Sequence, residues 1–180
     1  TAKLYAFTSP TAGPMANRAG VICVNVSSIP TPCGFTPLTT DNTVNNYGHL
    51  SDSVNIGRRM FSAESAGTNS LVCFDASTNA QCANSPVTML GASGQSWGSG
   101  GVHLETIGTK VFARTSSNMY CFNAADLSTC AGSWPATVTT NTSDPQTVVH
   151  TDSNGTPDGV CSLNQCFNLS GVSQSWINPF

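Results

Sequence analysis

Cys73-Phe74-Asp75-Ala76-Ser77-Thr78-Asn79-Ala80-Gln81-Cys82 is the stretch on which the fold turns. An apolar run, Leu71-Val72-Cys73-Phe74, stops at an Asp, and a second cysteine follows the small polar residues after it. Short apolar clusters bounded by Asp, Ser, Thr and Asn signal a strand entering a turn. The pattern recurs. Leu71-Val72-Cys73-Phe74-Asp75-Ala76 matches Met119-Tyr120-Cys121-Phe122-Asn123-Ala124 and Val21-Ile22-Cys23-Val24-Asn25-Val26, and more loosely Gln165-Cys166-Phe167-Asn168-Leu169. Each of the first three is followed, nine or ten residues on, by another cysteine.

Upstream lies a second shared element: Lys3-Leu4-Tyr5-Ala6-Phe7, Arg59-Met60-Phe61-Ser62-Ala63 and Lys110-Val111-Phe112-Ala113-Arg114. Gly57 and Gly108 precede two of these, and Gly155 holds the corresponding place in the last copy. His49-Leu50, His103-Leu104 and His150-Thr151 open a third element and suggest a histidine recurring at one repeat position. The unit therefore reads strand, Gly turn, strand, polar loop, strand, cysteine-closed turn, strand. Its markers Cys23, Cys73, Cys121 and Cys166 lie 50, 48 and 45 residues apart. Four short strands in such a period are the signature of a β-propeller blade. No segment keeps a 3.6-residue apolar period, so little helix is expected. The expected fold is all-β, with about four degenerate four-stranded repeats, β-propeller-like and disulfide-stapled. It forms a single domain over 1–180, with repeats near 1–40, 47–90, 101–140 and 147–180.

The stretch from Cys73 to Cys82 resembles the blade motif of quinoprotein-like propellers, in which an Ala-Asp pair, a Thr-Gly turn and a docking tryptophan follow in order. Asp75, Thr78 and Asn79 stand where the Asp and the Thr-Gly turn would be, and Cys82 where the tryptophan would be. The resemblance implies a propeller architecture in which a disulfide replaces an aromatic packed between blades. It brings no catalytic residue with it.

Eight cysteines are an even, high count without C-x2-C or Cys/His knuckles, so disulfides in an oxidising compartment are expected rather than zinc. The expected pairs are Cys23–Cys33, Cys73–Cys82, Cys121–Cys130 and, across a hairpin, Cys161–Cys166; the alternative for the last is a cross-link to a partner chain. Each bond closing a loop of about ten residues contributes roughly 2–3 kcal/mol on the chain-entropy model. The cysteines lead to the expectation of a secreted protein, which without a signal peptide would be seen after processing, and no apolar run of about 18 residues could insert in a membrane.

Charged residues make up 8% of the chain, against roughly 25% in an average soluble protein. Mean hydropathy is −0.05 and the formal net charge is −3, with no run of either sign. Nucleic acid is excluded as a partner, because binding it needs a basic stripe to displace counterions.

Asp152-Ser153-Asn154-Gly155-Thr156-Pro157-Asp158-Gly159 places oxygen-bearing residues at alternate positions, as a loop wrapping a hard cation does. The alternation marks Asp152, Asn154, Thr156 and Asp158 as candidate calcium ligands, and the end of the stretch, Asn154-Gly155-Thr156-Pro157-Asp158-Gly159, resembles the calcium loops of thrombospondin type 3-like repeats. Pro157 and Leu163 depart from an EF-hand, and an Asx/Pro/Gly turn is the competing reading. Gly94-Gln95-Ser96-Trp97-Gly98 fits a nucleophile elbow in letters, but a strand is expected to follow where that motif needs a helix. His49, His103 and His150 would line a propeller channel. Asn25, Asn141, Asn154 and Asn168 begin N-x-S/T sequons, and Trp97, Trp134 and Trp176 lie near repeat boundaries.

With no convergent catalytic set, the expected function is a non-enzymatic extracellular binding or adhesion module for a surface glycan or protein. The alternatives are a structural subunit that assembles with copies of itself into a filament, pilus, sheath or capsid, and a secreted enzyme of quinoprotein-like or hydrolase type. The first repeat begins at its second strand, so either a ring of about four blades closes or open edges pair with another chain.

Overall fold

The computed structural model describes residues 2–8, 19–27, 29–39, 50–64, 69–89, 102–139, 146–163 and 165–176. Among them every regular element is a β-strand, and all strand pairs are antiparallel.

The strands form four sheets in chain order. The first holds β1 (Ala2–Thr8), β2 (Gly20–Val26) and β3 (Thr31–Pro37). The second runs β4 (Leu50–Ile56), β5 (Arg59–Glu64), β6 (Asn69–Asp75) and β7 (Ala80–Gln81), and β8 (Val87–Met89) also pairs with β6. The third comprises β9 (His103–Ile107), β10 (Lys110–Arg114), β11 (Asn118–Asn123) and β12 (Ala136–Thr137). The fourth comprises β13 (Val148–Thr151), β14 (Pro157–Ser162), β15 (Gln165–Asn168) and β16 (Ser173–Gln174). In the second sheet β7 and β8 act as two halves of one interrupted fourth strand; in the third, a bridge from Thr129 to Phe122 precedes β12 in the same way.

The two-residue turns from β4 to β5 and from β9 to β10 start with Gly57 (φ 61°) and Gly108 (φ 58°), a conformation a side chain disfavours. The register aligns the repeats residue by residue. Tyr5 opposes Cys23, Phe61 opposes Cys73, Phe112 opposes Cys121, and in the fourth sheet Cys161 opposes Cys166. Cys161 thus occupies the place of an aromatic.

All four expected disulfides are present, and no described cysteine is free. Cys23–Cys33 links β2 to β3, Cys73 and Cys121 reach forward to the residues just after β7 and just after the Thr129 bridge, and Cys161–Cys166 crosses between β14 and β15, with Cα atoms 4.0 Å apart. Cys33 is the extra residue of a bulge in β3, since Cys23 opposes Gly34 and Val24 opposes Pro32. Four disulfides suit an oxidising, extracellular-type environment. No helix among the described residues is long and apolar enough to cross a membrane.

The sheets stack face to face, so β5, β6, β10 and β11 are covered on both sides. That is why these strands read in sequence as continuous apolar runs rather than clean alternations. Tyr5, Phe7 and Val21 of the first sheet pack on Met60, Val72 and Phe74 of the second. The opposite face of the second, with Phe61, Leu71 and Cys73, packs on Val111, Tyr120 and Phe122 of the third. Phe112, Met119 and Cys121 then meet Val160 and Phe167 of the fourth. Each fully buried Phe contributes about 1.5–3 kcal/mol relative to an exposed one. Among the first strands, β9 lies against both β4 and β13. No strand pairing joins the first sheet to the fourth among the described residues.

One expectation is corrected. His103 and His150 do not hold one repeat position: His103 pairs with Arg114, at the start of β9, whereas His150 pairs with Gly159. Gly159 is equivalent to Lys110, which pairs with Ile107, so His150 stands in the place of Ile107, four residues along. Short His-x motifs locate strands only to within a turn, and hydrogen-bond register sets the true equivalence.

Candidate functional site

The polar side chains fall into three groups: clamps between sheets, turn-builders, and a small cluster on the first strands. The clamps begin with Arg59, whose Nε lies 3.3 Å from Asp75 Oδ2 in its own sheet. Its Nη1 donates to the carbonyls of Ala124 and Ala125 in the third sheet. Lys110, at the equivalent position, donates from Nζ to Leu169 O of the fourth sheet at 3.4 Å. Both acceptors follow the Asx residue that ends the next sheet's third strand. Arg114, fully buried between the third and fourth sheets, donates from Nε to Ser162 Oγ at 3.1 Å, and burial lowers its pKa to about 10. It keeps its charge at neutral pH.

The turn-builders share one geometry. Asp75 Oδ1 accepts from the Ser77 amide, Asp126 Oδ1 from the Ser128 amide, and Asn168 Oδ1 from the amides of Ser170 and Val172. In Asp75 and Asp126 the serine hydroxyl and amide hold the carboxyl below the usual range. The sequons at Asn25 and Asn168 sit at the register position of Asp75, opposite Lys3 and Gly159, and at Asn168 the Asx-x-Ser turn accounts for the spacing. Asn141 lies outside the described residues, as does the Gly94–Gly98 motif with Ser96 and Trp97.

The residues expected to hold calcium lie on the turn from β13 to β14. Asp152 Oδ1 accepts from the amides of Asn154 at 2.8 Å and Thr156 at 2.9 Å, and these bonds, Thr156 first, lower its pKa. Asp152, Asn154 and Thr156 are thereby drawn together. Asp158 is directed elsewhere: its Oδ1 lies 2.6 Å from His150 Nδ1. Among the described residues no three His, Cys, Asp or Glu side chains converge as a metal site.

On the first strands, Asp52 Oδ2 accepts from the Leu104 amide at 2.9 Å and lies 3.7 Å from His103 Nε2. Burial raises the pKa of Glu105 beside them, against the pull of His103. His103 and His150 have separate carboxylate partners, Asp52 and Asp158, and His49 lies outside the described residues. Trp134 packs between sheets, with ring centroids 5.6 Å from Phe112 and 6.3 Å from Phe167. Trp176 stacks on His150 at 4.1 Å and 12° and covers Gly159.

Two surfaces of the first sheet remain open. Leu4 (62% exposed), Ile22 (42%) and Val26 (51%) are among the exposed large apolar side chains. The pairs Leu4–Val24, Ala6–Ile22 and Ala2–Val26 alternate with Tyr5–Cys23, so they lie on the face turned away from the second sheet. Between β1 and the β4–β5 hairpin run two adjoining cavities of about 340 and 490 Å³, which share Tyr5, Asn55 and Met60 as lining residues.

The clamps and the turn geometry went unread in the sequence, although a signal was present: each copy of the second element opens with a cation, Lys3, Arg59 or Lys110. The chain matches no protein-family model, no curated protein and no solved structure.

Proposed function

We propose that this chain is a non-enzymatic extracellular binding module in which the four sheets are successive blades of a β-propeller. The observation that carries the reading is the repeated joint between sheets: Arg59 to Ala124 and Lys110 to Leu169 link equivalent positions across successive interfaces. Side-by-side first strands support blades arranged about a common axis. The polar groups described above serve turns and joints, a scaffold's use of such groups, and the first sheet keeps an open face for a ligand. Four disulfides and the near-absence of charge fit secretion.

A glycan array, together with binding to purified extracellular proteins, tests the module. A saturable ligand that leaves unchanged is the expected result. Turnover of a bound compound that vanishes on changing one side chain would replace this reading with an enzyme.

The exposed apolar face of Leu4, Ile22 and Val26 favours a second reading, a structural subunit packing against copies of itself. Light scattering decides between them. A monomer at high concentration supports the module, and ordered growth with concentration supports the subunit.

A further inference from the structure

We draw no further inference here: the strongest candidate, the polar cluster of His103, Arg114, Thr147 and Ser162 in the seam between the third and fourth sheets, leaves no room for a ligand, because His103 Nδ1 and Thr147 Oγ1 are enclosed by their neighbours.

Discussion

Arg59 leaves its own sheet to donate to the carbonyl of Ala124 in the next, and Lys110 repeats the act on Leu169 one sheet further on. The acceptors are backbone atoms at the tip of a turn shaped by an Asx side chain, so each joint ties a cation to a fixed carbonyl. Replacing Arg59 by Ala removes charge-assisted bonds and leaves those carbonyls to water. We expect a loss of about 1–3 kcal/mol in urea unfolding. Arg59→Lys should recover part of it, since lysine performs this role at position 110.

The four disulfides give a mass-spectrometric prediction. Digestion without reduction should yield Cys23–Cys33, Cys73–Cys82, Cys121–Cys130 and Cys161–Cys166 within single chains. Changing Cys73 and Cys82 together to Ser should cost roughly 2–3 kcal/mol on the chain-entropy model. A covalent dimer through Cys161 would contradict the structure.

Gly159 occupies the place of Arg59 and Lys110 in the fourth sheet, and there is no room for a side chain. A Cβ would stand 2.2 Å from Phe167 O and 2.5 Å from the Trp176 ring. Gly159→Ala should therefore destabilise by about 1–3 kcal/mol, read as a lower melting temperature. Adding Trp176→Ala should recover little, because the nearer obstacle is backbone.

Two acids should give opposite pH signatures. Asp75 has its pKa lowered, first by the Ser77 hydroxyl and then by its amide. Its contribution is present above the unfolded value of about 3.9 and fades as pH falls through the lower folded one. Asp75→Asn should thus lower the melting temperature near neutral pH, with the difference shrinking in strong acid. Glu105 has its pKa raised by burial, so the folded chain holds a proton the unfolded chain has lost. Stability falls as pH rises from about 4.3 through the folded value, and Glu105→Gln should raise the melting temperature near neutral pH and change little in acid.

In the turn from Asp152 to Asp158 one oxygen of Asp158 is taken by His150 and Oδ1 of Asp152 by two backbone amides, which leaves few carboxylate oxygens for a cation. Millimolar calcium is therefore expected to leave the melting temperature of chelator-treated protein unchanged. A rise that disappears in Asp158→Asn would place the cation in the turn.

Much of this fold could be read before any coordinates. The cysteine pairs join residues 5 to 10 apart, and the turns at Gly57 and Gly108 follow from local backbone preference. Such features are short-range, so spacing and residue type suffice to specify them. The candidate site was less legible. His103 and His150 looked equivalent because both precede short elements, yet a bulge between His150 and Thr151 and the different partners, Arg114 and Gly159, separate them. The cations at positions 3, 59 and 110 were visible as letters, but their use was not.

Local chemistry thus dictated the strands, the staples and the repeat. Packing decided which face of each strand meets which neighbour and where the clamps land. Arg59 and Ala124 are 65 residues apart, and their contact depends on how two whole sheets lie on one another. A pattern with period two tells inside from outside along a strand, but a doubly covered strand is apolar on both faces. Only the stacked sheets distinguish those faces.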